Sequence, residues 1–168
     1  MTLVGSIVAI GILGVTMVSI LQYQSFLVRA NVQKKYSTVG TFLAAEGVAL
    51  VRGVRDGNFR DARNGGVTSW DEGLNEGSYK FDYSSLDLAS GLSTTTSCTP
   101  TSFTNDCAMR ESDDGYVLGT GDVDIYRVVE VFNKTGNSLD VLTTVEIRDR
   151  GYVVRYEAAT RLFNTDNL

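Results

Sequence analysis

The first 28 residues carry no charged side chain, and this stretch limits the possible folds more than any other feature of the chain. From Met1 to Leu21 the sequence is almost wholly apolar, and its polar members are small Ser and Thr residues. Their hydroxyls hydrogen-bond back to their own helix and are therefore tolerated in lipid. A helix of about 20 apolar residues spans the roughly 30 Å hydrocarbon layer of a membrane. No basic residue precedes the run and no small-residue cleavage site follows it, so we expect a retained span rather than a signal peptide.

The pattern changes after residue 28 to that of an amphipathic helix. Apolar residues recur at steps of four and seven, which places them on one face, and we expect this face to pack on the rest of the chain. The six are Val28, Val32, Val39, Leu43, Leu50 and Val54. No proline interrupts residues 1–55, and Asp56-Gly57 is a plausible stop signal. The sequence predicts one helix of about 53 residues, with a membrane-type half at 1–28 and an amphipathic half at 29–56.

The remaining residues, 57–168, are predicted to form a single head with a loop region at 57–122 and a β-meander at 123–163. A Gly-, Asn- and Asp-rich loop from Arg60 to Gly77 has Trp70 as its one large anchor. Alternating apolar and polar residues joined by short Gly-containing links predict antiparallel strands. The predicted strands are Ser78–Tyr83, Val123–Phe132, Leu139–Arg148 and Tyr152–Phe163. The expected fold class is α+β, with the long N-terminal helix packed on a C-terminal antiparallel sheet.

Composition argues against several classes of function. The chain has no histidine, which removes the commonest general base and metal ligand, and we find no catalytic constellation. We therefore expect neither an enzyme nor a bound cofactor. The net charge is −5, which is unfavourable for coating nucleic acid, and no nucleic-acid partner is expected. The charge is also uneven, because residues 29–55 are basic and residues 56–168 are acidic.

The N-terminal region resembles the type IV pilins and their pseudopilin relatives. The residues that carry the resemblance are Met1-Thr2-Leu3-Val4, the apolar run Ile7 to Leu21, and Gln22-Tyr23-Gln24. Looser similarity extends over Glu46-Gly47, the segment Val54 to Phe59, and the stretch from Trp70 to Tyr83. Beyond residue 83 the resemblance is one of architecture.

This resemblance implies a life cycle in two environments. A prepilin peptidase would remove a leader before Met1, and the chain would reside in the cytoplasmic membrane with its head outside. An inner-membrane assembly platform would then extract it from lipid into a helical homopolymer on the cell surface, which supports adhesion, motility or cell–cell contact. The positions that match the family's processing and assembly region are Met1, Thr2, Leu3, Gly5 and Ser6. The positions that match its filament core are Ile7, Ile10, Gly11, Leu13, Gly14, Met17 and Leu21.

One residue departs from the family pattern. The family usually carries a glutamate at the fifth position, where its carboxylate pairs with the terminal amine of a neighbouring subunit, and here that residue is Gly5. The Met1 amine would need another partner, such as the Thr2 or Ser6 hydroxyl. A minor or tip subunit would not need the glutamate, whereas a shaft subunit would satisfy the amine differently. A type II secretion pseudopilin and a single-span, membrane-anchored binding domain are further alternatives.

Two cysteines, an acidic cluster and a group of bases are further candidates for structural or binding roles. Cys98 and Cys107 should form a disulfide in an oxidising exterior. A solvated turn is the favoured interpretation of the acidic cluster Asp113, Asp114, Asp122 and Asp124, with a calcium site as the alternative. The bases Arg29, Lys34 and Lys35 suit either lipid headgroups or the acidic heads of neighbouring subunits. Basic residues that follow a membrane span favour a cytoplasmic location for the head. The leader of the family is usually basic, and such a leader before Met1 would reverse this orientation.

Overall fold

The computed structural model describes residues 3–66, 69–80, 92–112, 115–119, 123–149 and 152–164. The chain divides into two compact units, Met1–Thr38 and Val39–Leu168. Helix α1 runs from Leu3 to Arg63 and contributes to both units. The strands, all in the second unit, are β1 (Gly77–Lys80), β2 (Ser93–Thr94), β3 (Ala108–Ser112), β4 (Gly115–Leu118), β5 (Asp124–Phe132), β6 (Ser138–Asp149) and β7 (Tyr152–Phe163). The predicted α+β class, a long N-terminal helix packed on an antiparallel sheet, is confirmed.

Helix α1 ends later than the sequence suggested. The predicted stop at Asp56-Gly57 is wrong, because Gly57 is helical and the helix continues to Arg63. Gly65 adopts the left-handed conformation, with φ of 80°. Its N–H donates to the Ala62 carbonyl at 3.1 Å, and the Gly66 N–H donates to the Asp61 carbonyl at 2.9 Å. These two bonds form a Schellman cap, so the loop predicted from Arg60 begins after Arg63.

The C-terminal meander is confirmed as β5, β6 and β7, each antiparallel to the next. β7 has the predicted bounds, β5 begins one residue later than predicted, and β6 extends one residue further at each end. The other edge of β5 is shared, because β1 pairs with its C-terminal half and β3 with its N-terminal half. β2 and β4 then pair outward on β1 and β3.

The predicted loop region 57–122 holds more regular structure than expected. It contains the end of α1, the strands β1 to β4, and a short 3-10 helix at Asn105–Cys107. β1 covers the start of the predicted strand Ser78–Tyr83, and residues 81–83 lie outside the described residues. The hairpin of β3 and β4 was not predicted, because its strands are short and its sequence is rich in charged and small residues.

Both faces of the sheet are covered in the second unit. On one face, Val51 and Val54 of α1 share a buried cluster with Val129, Val141 and Leu162 of the meander. We call this the helix side of the sheet. On the opposite face, the buried residues Cys98, Phe103, Cys107 and Ala108 pack with Tyr126 and Val128, and we call it the loop side. Two-sided burial explains why β5 is buried at nearly every position rather than at alternate ones.

The buried face of α1 is centred on small residues. A Cβ at Gly40 would overlap the ring of Tyr156, and a Cβ at Gly47 would overlap the side chain of Thr143. These glycines therefore allow the helix backbone to approach the sheet closely. The buried line is Gly40, Leu43, Ala44, Gly47, Val51 and Val54.

The predicted apolar face overlaps this line only in part. Leu43 and Val54 are buried, whereas Val39 and Leu50 are half-buried at the edge of the line. Val28 and Val32 belong to the first unit, and their side chains are 63% and 38% exposed. The expectation of buried side chains at Val28 and Val32 is therefore wrong, and the buried part of the face begins at Val39. Hydrophobic spacing marks a face, but it does not show how far along the helix that face is covered.

Candidate functional site

The first unit, in the part that the structure describes, is a helix with an exposed apolar surface. Its large apolar side chains at Leu3 and from Ile7 to Leu27 are between 40% and 78% exposed. They include Leu3, Ile7, Ile10, Leu13, Met17 and Leu21, all of which were predicted for the processing or filament-core region. By length and composition this helix is able to cross a membrane, and none of its most apolar window is buried. A membrane-anchored chain is compatible with this arrangement.

Two hydroxyl side chains within the surface, those of Thr16 and Ser19, bond inside the helix. Thr16 Oγ1 donates to the Leu13 carbonyl at 2.9 Å, and Ser19 Oγ donates to the Val15 carbonyl at 2.9 Å. These hydroxyls need no water, so the surface behaves as apolar. Gly5 and Ser6 are exposed in the helix, while Met1 and Thr2 lie outside the described residues. The partner of the Met1 amine therefore stays an open expectation.

Gly11 and Gly14 make two shallow places on this surface. No atom lies within 4 Å of a Cβ built at either position. Small residues let helix backbones approach one another in lipid or in a bundle. The arrangement leaves room for an apolar helix of another chain beside residues 11–14.

In the second unit, a buried ion pair joins α1 to the sheet. Arg127 of β5 is 1% exposed, and its guanidinium donates to a Glu46 carboxylate oxygen at 2.5 Å on the helix side. The sequence pattern did not predict the burial of Arg127. A signal was present, since Arg127 interrupts the apolar run of β5 and Glu46 is the first acid of α1.

A second cluster lies on the loop side, around the carboxylate of Glu146. Glu146 is 1% exposed and accepts hydrogen bonds from Arg148 Nε at 2.6 Å and Arg155 Nε at 2.5 Å. Arg148 lies 4.8 Å from the ring centre of Tyr126, and Arg155 lies 5.7 Å from that of Phe103. The hydrogen bond to Glu146 raises the pKa of Arg148 above its usual value. The cluster thus fixes the disulfide-containing layer to the sheet.

The predicted disulfide is confirmed, and both Cys98 and Cys107 are fully buried. Of the calcium candidates, Asp113, Asp114 and Asp122 lie outside the described residues. Asp124 is exposed at the start of β5, opposite Arg148. The described part of the chain holds no group of three or more His, Cys, Asp or Glu residues placed to bind a metal ion.

Trp70 anchors the segment after α1, as predicted. It is 7% exposed and stacks on Phe59 with 6.4 Å between ring centres. Its indole N–H donates to the Gly136 carbonyl at 3.2 Å, and Asn58 donates to the Trp70 carbonyl at 3.1 Å. These contacts tie the end of the helix to the β5–β6 link.

Comparisons of this chain with protein-family models, with curated proteins and with solved structures find no match.

Proposed function

We propose that the chain is a structural subunit of a type IV pilus-like filament, held in a membrane by its N-terminal helix before it assembles. The observation that carries the proposal is the change of environment along a single helix. At Leu3 and from Ile7 to Leu27 the large apolar side chains are exposed, whereas from Val39 one face of the same helix is buried on a folded sheet. The first part needs an external apolar partner, and the second part already has its partner.

Two environments suit the exposed part. Transfer of apolar surface out of water is favourable by roughly 25 cal/mol per Å², so a bare helix of this kind is unstable in water. Lipid covers it on all sides, and so does a bundle of the same helices from other copies. A filament subunit uses both in turn, and the open positions at Gly11 and Gly14 favour close helix packing in the second.

The second unit supports an exterior location. It contains a disulfide, and disulfides form and persist in oxidising compartments. This agrees with a head outside the cell. The processing peptidase, the assembly platform and the roles in adhesion, motility or cell–cell contact follow from the family resemblance alone.

Three alternatives use the same exposed helix. The absence of a carboxylate at Gly5 favours a minor or tip subunit, which has no earlier neighbour to pair with. A pseudopilin would use the same helix in a shorter assembly. A single-span, membrane-anchored binding domain would need only the exposed apolar helix and would leave it in lipid permanently.

A pair of variants separates anchoring from assembly. In cells that make the chain, filaments are sheared from the surface, and the chain is quantified in the sheared and membrane fractions. The double variant Gly11→Leu/Gly14→Leu keeps the span apolar but fills both open positions, so we expect it in the membrane and strongly depleted from filaments. The matched control Ile10→Leu/Leu13→Ile conserves volume and should assemble normally. If the wild-type chain stays wholly in the membrane fraction, the filament proposal is wrong and the anchored-domain alternative remains.

A further inference from the structure

A group of aromatic and basic residues follows the apolar stretch from Leu3 to Leu21 in the first unit. Tyr23 and Phe26 are 62% and 65% exposed, and Arg29, Lys34 and Lys35 come next along the helix. We call these five residues the belt. Residues 1–38 contain three bases and no acid, so the belt carries all the side-chain charge of this unit. Burial of apolar surface in lipid does not explain why charged residues stand at these positions.

The order of the belt along the helix matches the layers of a bilayer surface. At 1.5 Å per residue, the apolar stretch from Leu3 to Leu21 covers about 27 Å, close to the roughly 30 Å hydrocarbon core. Tyr23 and Phe26 follow within about 8 Å, where aromatic rings concentrate at membrane interfaces. Arg29 lies about 4–5 Å beyond Phe26, and Lys35 about 13–14 Å beyond it. Helical side chains lean towards the N-terminus, so these cations reach back towards the interface.

The bases are also distributed around the helix rather than on one face. Successive residues advance by about 100°, which places Arg29, Lys34 and Lys35 roughly 100–140° apart. A single acidic patch on one neighbouring chain contacts one face of a helix, whereas a layer of headgroups surrounds it. The angular distribution therefore favours the lipid surface over a single acidic patch on a neighbouring chain.

We propose that the belt binds the phosphate groups of anionic phospholipids and so holds the chain at a defined depth before assembly. The guanidinium of Arg29 is able to donate to two phosphate oxygens, and the ammonium groups of Lys34 and Lys35 act as point charges. The inference rests on the membrane-resident stage of the proposed function. It adds that extraction into a filament must break these lipid contacts as well as remove apolar surface from lipid.

The test uses the full chain reconstituted in phosphatidylcholine vesicles. Electron paramagnetic resonance with spin-labelled phosphatidylglycerol or phosphatidylcholine measures how strongly each lipid associates with the protein. One basic residue near the surface strengthens association with an anionic lipid over a neutral lipid by roughly fivefold at most. We expect the wild-type chain to favour phosphatidylglycerol by at least about threefold at low salt, and the preference to fall towards one near 1 M salt, where the screening length is about 3 Å.

Matched variants assign the preference to the belt. The triple variant Arg29→Gln/Lys34→Gln/Lys35→Gln should lose the preference for phosphatidylglycerol. The control Arg52→Gln/Arg60→Gln/Arg63→Gln removes three exposed bases from the later part of the same helix and should keep it. Equal association of both lipids with the wild-type chain, or an unchanged preference in the triple variant, would overturn the inference and favour an acidic protein partner for these bases.

The same samples separate failure of the belt from failure of the anchor. An alkaline wash before the measurement reports whether the chain is integrated in the vesicles. A chain that is washed off contradicts the membrane-resident stage, and the proposed role of the belt is then wrong as well. A chain that stays integrated but shows no lipid preference contradicts the belt alone.

Discussion

Two charged side chains, Arg127 and Glu146, lie buried on opposite faces of the sheet, and each is paired with side chains of opposite charge. Arg127 pairs with Glu46 of the helix, and Glu146 pairs with Arg148 of its own strand and Arg155 of β7. A buried charge is tolerated only when it is paired. Such pairs therefore fix which surfaces meet, in addition to the contacts of the apolar core.

The first prediction concerns the pair between helix and sheet. Glu46→Gln removes the charge that faces Arg127 and should lower the free energy of unfolding by about 2–3 kcal/mol, somewhat less than for a fully buried pair because Glu46 is partly exposed. Urea denaturation of the detergent-solubilised chain measures the change. The control is Asp56→Asn, which breaks the Arg55–Asp56 pair on the same helix. Asp56 is exposed, so we expect a loss below about 1 kcal/mol, and equal losses in the two variants would contradict this account.

The second prediction concerns Asp140, which lies opposite Arg161 across β6 and β7. Hydrogen bonds from Arg161 and then Asn133 lower the pKa of Asp140 from 3.8 to about 2. The pKa of Asp140 is lower in the folded chain than in the unfolded chain, so its ion pair stabilises the fold at pH values above about 4. This stabilisation is lost as the pH falls from about 4 towards 2.

Carboxyl-carbon NMR titration checks this directly. Arg161→Gln should raise the pKa of Asp140 towards its usual value, and Asn133→Ala should raise it by less, since Arg161 provides the larger effect. An unchanged pKa in Arg161→Gln would show that the ion pair does not form in solution.

Among the elements, the contact between helix and sheet depends on the glycines of α1. Hydrophobic spacing predicted the packing face as Val28, Val32, Val39, Leu43, Leu50 and Val54. An added Cβ would overlap the sheet at two other positions, Gly40 and Gly47. A residue without a side chain contributes nothing to a hydrophobic pattern. The sequence therefore predicts that this half of the helix packs, and misplaces the centre of the buried face.

The third prediction compares two glycines of the same helix. Gly40→Ala should destabilise the second unit by about 1–2 kcal/mol, because the clash with Tyr156 outweighs the better helix propensity of alanine. At Gly53 no atom lies within 4 Å of an added Cβ, so Gly53→Ala should stabilise by up to about 1 kcal/mol. Thermal unfolding of both variants measures the two effects, and a gain in stability for Gly40→Ala would contradict the described packing.

The fourth prediction concerns the layer on the loop side. Cys98→Ser/Cys107→Ser opens a loop with a sequence separation of 9 and should lower stability by about 2–3 kcal/mol. Denaturation with and without reductant measures the effect in the wild-type chain, and the double variant should not respond to reductant. A wild-type chain whose stability is unaffected by reductant would contradict a stabilising role for the bond.

The elements that could be predicted from the sequence are those with a strong local signal. Long alternating runs with short links predict β5, β6 and β7 because period two and turn chemistry agree. The β3–β4 hairpin has only 5 and 4 residues per strand, too few to establish a period. The helix end was misplaced because Asp56-Gly57 and Asn64-Gly65 are equally good stop signals in sequence. The burial of Arg127 depends on a partner 81 positions away, which local patterns do not reveal.

At the scale of the whole molecule, the chain combines a unit with an open apolar surface and a unit with a closed core. The second unit has a cluster of buried apolar side chains on each face of its sheet, and a disulfide and ion pairs add to these contacts. The first unit has no core, because one helix has nothing of its own to pack against. Such a helix is used when lipid or other copies of the chain supply the missing contacts.

The measurement that tests the filament account most directly is mass spectrometry of filaments sheared from cells that make this protein. The account predicts that the chain is recovered in the filaments with an N-terminal peptide that begins at Met1 and carries one added methyl group. If that peptide is dominant, the subunit forms the shaft without the usual glutamate, and a trace amount indicates a minor or tip subunit. Absence from the filaments, with the unmethylated chain retained in the membrane, would contradict the account.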